Sequence, residues 1–256
     1  RTAQVTAGLF AIVADLKVLG IKEGGLQVVR AFEPGEAWAD FQRQLRRLQD
    51  DIDSGVMGIA LTVEDIHAAK KENVPVSILC CEGGDFIEKN VRRVADVYAA
   101  GLRSITLMHY NDNALGDTQT GAAVHGGLTP VGHDVVAEMN RLGMLVDVAH
   151  ASYQTCKDIV ATSTQPVMLS HSILEIPGTD SRRLMSLEHA RLITEGGGII
   201  GAWPAGIGSA SLADYAGQVI ALVNAVGIEH VAIGSDMDAN YKPVLTEYSD
   251  FSLLAA

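Results

Sequence analysis

Seven short runs rich in apolar and β-branched residues recur along the chain: Leu9 to Val13, Val74 to Cys81, Ser104 to Met108, Leu145 to Ala149, Pro166 to Ser170, Gly198 to Trp203 and Val231 to Ser235. Most are nearly continuous in apolar character, as a parallel strand covered on both faces must be; a half-exposed antiparallel strand would alternate. Helical periodicity fills the intervals. Trp38, Phe41, Leu45, Leu48 and Ile52 fall at steps of three and four, and the stripe stops at Gly55. Thr62 with Asp65 three residues later predicts a capping box. Thr129 before Pro130 predicts the start of a helix that carries Val131, Val135, Met139 and Leu142 and ends at Gly143. A further helix is expected over Leu212 to Val226, stopped by Gly227 in the left-handed conformation.

The cadence of strand and helix makes the chain α/β and predicts one (β/α)8 TIM-like barrel domain over residues 1–256. A doubly wound sheet is disfavoured because no Gly-rich dinucleotide fingerprint follows any strand. No Pro/Ser-rich linker, composition shift or short repeat divides the sequence. The longest irregular stretch, Tyr110 to Leu128, is polar and Gly-rich and follows a strand end, where barrel enzymes keep their working loops.

Composition narrows the partners. With 48% apolar and 20% charged residues the chain can bury a large core. A net charge of −12 with no Lys/Arg-rich run excludes nucleic acid and anionic membrane surfaces as expected partners. Cys80, Cys81 and Cys156 cannot build a disulfide framework and are expected to be buried free thiols. No apolar run approaches the roughly 18–20 residues that span a bilayer. The expectation is a soluble chain, with the cytoplasm the favoured compartment and self-association left open.

What terminates the strands carries the chemistry. SILCC runs into Glu82, SITLM into His109, LVDVA into His150, PVMLS into His171 and VAIGS into Asp236. In a parallel barrel every C-terminal strand end lies on one face, so five residues remote in sequence converge. One strand-end histidine is ordinarily a hydrogen-bonded rim residue; three, with two carboxylates at equivalent positions, point to a site. Carboxylate and imidazole suit zinc or a similar divalent ion. His67 and His189 on helices, His133 in a first helical turn and His230 at the opposite end of a strand are set aside, and His125 in the long loop is left open. Arg183, in HSILEIPGTDSRR, is placed above the same face, where its planar fork could hold a substrate carboxylate; Arg182 is the weaker candidate. Cys80 and Cys81 point to opposite faces of one strand and are assigned to packing.

With these residues identified, the chain resembles the membrane (renal) dipeptidase family, zinc metallopeptidases of the amidohydrolase superfamily. The resemblance runs from about Cys80 to Asp238 through CCEGG, TLMHYNDNALGD, HGGLTPVGHDVVAEMNRLGMLVDVAHAS, PVMLSHS, SRR and HVAIGSDMD. It implies hydrolysis of dipeptides by metal-activated water, with tolerance of a D-residue at the C-terminal position. It makes Glu82 the carboxylate bridging two zinc ions and His150 and His171 the remaining ligands of the second. His109 would polarise the scissile carbonyl, Arg183 would anchor the substrate's C-terminal carboxylate, and Asp236 would shuttle the proton.

The sequence departs from the family pattern in two places. The family's first strand ends in H-x-D, which supplies two ligands to the first zinc, and no H-x-D occurs here. One zinc ion is therefore expected from the ligands present. Leu184 stands where the family usually has Asn after the carboxylate-binding arginine. The chain also begins at Arg1 and stops at Ala256 soon after its last apolar run, so an internal piece of a longer polypeptide is expected, with the first strand upstream and closing helices downstream. Two other functions compete with the dipeptidase: a one-metal amidohydrolase acting on N-acyl amino acids, and a barrel that binds metal or peptide without turnover.

Overall fold

In the computed structural model, which describes residues 5–22, 25–237 and 243–254, the apolar runs form one curled sheet of parallel strands. The chain lays down β1 (Ala7–Val13), a hairpin of β2 (Leu19–Lys22) and β3 (Gly25–Val28), α1 (Glu36–Asp53), β4 (Gly58–Ile59), α2 (Val63–Glu72) and β5 (Val76–Glu82). Strict alternation follows: α3 (Arg92–Ala99), β6 (Ser104–Thr106), α4 (Pro130–Leu142), β7 (Leu145–Asp147), α5 (Tyr153–Thr162), β8 (Met168–Ser172), α6 (Leu187–Glu195), β9 (Ile199–Ala202), α7 (Leu212–Val226) and β10 (Val231–Ile233).

The spatial order is β1-β5-β6-β7-β8-β9-β10, with β4 set against the start of β5. Three strands therefore exceed the seven expected. β4 pairs only Gly58 with Val76 and Ile59 with Ser77, too short a run to carry a periodicity. The antiparallel β2–β3 hairpin forms a separate two-stranded sheet. Among the described residues no ladder joins β1 to β10, so the barrel is open along one side. Leu9 and Phe10 on β1 and Ile233 on β10 are exposed there.

Side-chain alternation on β5 divides inside from outside. Ile78, Cys80 and Glu82 face a cavity of about 640 Å³ enclosed by the curl, which Asp147, His171 and Asp236 also line. Leu79 and Cys81 point the other way and are wholly buried in the main core. All three cysteines are free and buried, as expected. The segment just after Glu82 is anchored from α1: Phe41 stacks on Phe86 with ring centroids 4.1 Å apart and both rings fully buried.

The predicted helix ends largely form. Asp65 N donates to Thr62 Oγ1 and Thr62 N donates to Asp65 Oδ2, completing the capping box of α2. Gly132 N donates to Thr129 Oγ1 at the start of α4, and Gly143 closes it with φ +73°. Gly227 departs from its expected conformation. Its φ of +94° needs glycine, but ψ is 147°, because the chain passes from α7 straight into the 3-10 turn Ile228–His230 that feeds β10.

Candidate metal centre and substrate pocket

The five strand-end residues converge at the C-terminal ends of the strands. Glu82 is the last residue of β5, while His171 lies inside β8, which runs to Ser172 instead of ending at Ser170. His109, His150 and Asp236 sit just beyond β6, β7 and β10. His150 and Asp236 adopt φ of +63° and +42°. Such backbone costs a non-glycine residue roughly 1–2 kcal/mol, so the surrounding contacts hold these two side chains against a local preference.

Glu82 Oε1 lies 3.0 Å from His150 Nε2 and 3.6 Å from His171 Nε2, and the two imidazole nitrogens are 3.1 Å apart. One ligand atom from each residue falls within 4.8 Å of the others. Burial drives the pKa of His171 down to about 4 and that of His150 well below its ordinary value, with the Arg183 cation adding to the effect. Both rings are therefore neutral. Arg183 Nη2 lies 3.2 Å from His150 Nε2, and since a guanidinium can only donate, a bond there uses the lone pair of that nitrogen. Two neutral imidazoles and a carboxylate aimed at one point have more lone pairs than protons to share. A borderline divalent cation fits that donor set.

His109 reaches the same carboxylate from the other side, its Nε2 3.5 Å from Glu82 Oε2. Its Nδ1 lies 2.6 Å from Asp15 Oδ1, and Asp15 Oδ2 accepts from the backbone N–H of Tyr110 and Asn111 at 3.0 Å each. Burial opposes charge on His109, but Glu82 and Asp15 together outweigh it and raise the pKa. Sequence reasoning missed Asp15. The available signal was a carboxylate placed directly after the apolar stretch that ends at Ala14.

Asp147 was missed as well, although an acid inside the run LVDVA is conspicuous. Its Oδ2 accepts from Thr106 Oγ1 at 2.6 Å and its Oδ1 from Ala149 N and Ser170 N at 3.0 Å each, tying together the three strands that carry His109, His150 and His171. Asp236 Oδ2 stands 3.8 Å from His171 Nε2 at the edge of the cavity.

Arg183 is buried, not solvated like an ordinary surface arginine. Its Nη1 donates to Gln119 Oε1 at 2.9 Å and its guanidinium lies 5.1 Å from the Trp203 ring centre. Gln119 belongs to the long loop and its N–H donates to the carbonyl of His150, so the loop packs directly on the centre. Leu184 is buried with Ile173, Trp203 and Ala205. Arg182 is exposed, with long contacts of 3.4 Å to the carbonyls of Thr120 and Gly121. His125 approaches the Asn113 carbonyl at 3.1 Å inside the loop, His133 pairs with Thr162, and His230 contacts the Gly198 carbonyl away from the centre. Asp238, where the family-like run ends, lies outside the described residues.

Among the described residues no helix is long and apolar enough to cross a membrane. Comparison with known proteins agrees with the fold. The chain is 32% identical over 210 residues to dipeptidase verJ of Clonostachys rogersoniana, covering 78% of this chain and 53% of that protein. It thus spans about half the length of the curated relatives it matches. Among solved structures, a metallo peptidase of Rhodobacter sphaeroides liganded with a phosphinate mimic of the dipeptide L-Ala-D-Ala superposes with a TM-score of 0.83 at 20% identity, covering 99% of this chain and 80% of that one. The probable dipeptidase PvdM of Pseudomonas aeruginosa gives 0.82 at 18% identity, covering 99% and 81%. At such identities the likeness establishes the shared barrel fold. The family model for membrane dipeptidase, peptidase family M19, matches residues 19–256. With that match over most of its length, and a cluster of metal-ligand side chains at the strand ends, the chain belongs to the membrane dipeptidase family, whose members are metallopeptidases.

Proposed function

We propose that this chain carries the catalytic centre of a zinc-dependent dipeptidase, with Glu82, His150 and His171 holding one ion. The convergence of a carboxylate and two neutral imidazoles within 4.8 Å is the observation that carries the reading. When bound, the ion supplies Lewis acidity, lowering the pKa of water toward about 7 and making hydroxide available at neutral pH. The chain's own residues do the rest. Arg183 anchors the C-terminal carboxylate of a short peptide, its charge held in a buried position beside Gln119 and Trp203. His109, fixed by Asp15, turns Nε2 toward the site and donates to the scissile carbonyl oxygen as negative charge develops there. Asp236 takes the proton released by the attacking water and passes it to the leaving amine. An anchor for the C-terminal carboxylate beside the centre selects a peptide whose leaving residue bears a free carboxylate, as that of a dipeptide does. The relative captured with a mimic of L-Ala-D-Ala supports the same substrate class.

The test is hydrolysis of a dipeptide panel by the zinc-loaded protein, read as release of free amino acids. Cleavage that stops with chelator and with C-terminal amidation is expected. Turnover of N-acyl amino acids with none of dipeptides would replace the assignment.

A further inference from the structure

The mechanism leaves one buried histidine unused. His189, on α6, is 5% exposed and packs edge-on against the Tyr153 ring, and among the described residues its Nε2 has no hydrogen-bond partner. Other buried nitrogens share that condition, among them Nδ1 of His150 and Nε of Arg183. All three residues line one small cavity of about 10 Å³, behind the metal centre, with Gln119 and Met185. Three orphaned polar atoms around one space are costly unless something satisfies them, since each buried unpaired group costs about 1–3 kcal/mol.

Their chemistry says what fits. Arg183 Nε can only donate. As a ligand through Nε2, neutral His150 carries its single proton on Nδ1, so that atom donates too. Burial holds the pKa of His189 at about 4, so the ring is neutral at pH 7 and Nε2 can accept. Two donors cannot satisfy each other, but a water molecule accepts from both and donates to the third. A cavity with about 10–15 Å³ open to water centres holds one water, and buried waters make about three hydrogen bonds.

We infer that this cavity is a structural water site, and that His189 is a positioning residue which, through that water, keeps the proton of His150 on Nδ1 and its Nε2 directed at the metal. The inference rests on the proposed role of His150 as a ligand. A ligating histidine is normally held by such a partner at its other nitrogen, and loss of the partner typically lowers metal affinity 10- to 100-fold.

The experiment measures zinc affinity by chelator competition for the wild-type chain, His189→Leu and His189→Gln, together with a high-resolution crystal structure of the wild type. His189→Leu should weaken zinc binding at least tenfold, while His189→Gln, which keeps a polar group that can accept, should stay within about threefold. Density for a water within hydrogen-bond reach of all three nitrogens is expected. Wild-type affinity in a folded His189→Leu protein, equal weakening in both variants, or a dry cavity overturns the proposal. Should His189→Leu fail to fold, His189→Gln and the water density decide it. No hydrolysis is read, so a chain that binds zinc yet cleaves no dipeptide counts against the proposed function and leaves this inference standing.

Discussion

The ring nitrogen Nδ1 of His109 and the carboxylate oxygen Oδ1 of Asp15 meet at 2.6 Å across 94 residues of sequence. The contact joins the end of the first strand to the loop after β6, and two backbone N–H groups fix the other carboxylate oxygen. Asp15→Asn keeps the shape but removes the negative charge that, with Glu82, favours the protonated His109 ring. Turnover should fall about 100-fold, the lower end of what a positioned proton donor contributes, with bound zinc unchanged. Steady-state kinetics beside elemental analysis checks this; a fully active Asn variant would remove Asp15 from the mechanism.

His171→Ala and His150→Ala should each strip most zinc from the protein after dialysis, because each removes one of three converging ligand atoms. Retention of full zinc by both variants would mean that the ion is held elsewhere.

Arg183→Lys should raise KM for dipeptides at least tenfold with a smaller effect on kcat, since a point charge cannot reproduce a planar fork that also grips Gln119. Amidated dipeptides should lose this sensitivity. An equal effect of the substitution on free and amidated substrates would contradict a carboxylate anchor.

Asp85 should make the fold less stable as pH rises. Burial, and then the neighbouring Asp15, pushes its carboxyl up to about 7, above its ordinary 3.8. The folded state therefore binds a proton that the unfolded state gives up, so this stabilisation is full below about pH 4 and is lost as pH rises through about 7. Asn111 Nδ2 donates to Oδ1 at 2.6 Å, a bond that Asp85→Asn can keep. The difference in Tm between Asp85→Asn and wild type should widen from pH 4 to 7 in favour of the variant. A constant difference would show that Asp85 does not titrate in that window.

The convergence of the candidate ligands was legible in the sequence because their positions obey a rule of topology: apolar strands of one parallel sheet must deliver their last residues to one face. Glu82, His150 and His171 needed no knowledge of distance to be grouped. Asp15 was harder to read, since a carboxylate after an apolar run is a weak local signal and its importance lies in a partner 94 residues away. The burial of Arg183 was hidden for a similar reason: a loop residue's exposure depends on Trp203 and Gln119, from two other segments. β4 escaped because two residues cannot express a period of two.

Among the described residues the sheet flanks the five strand-end residues unequally. Glu82 and His171 lie on β5 and β8, and His150 just past β7, all strands flanked by hydrogen-bonded neighbours on both sides; Asp236 hangs beyond β10, whose ladder is three register pairs with β9. A swing of that outer strand would carry the Asp236 carboxylate away from its position 3.8 Å from His171 while leaving the ligand atoms in place. In the proposed mechanism the ligands would thus rest on strands paired on both sides, and the proton shuttle on a strand paired, among the described residues, on one side.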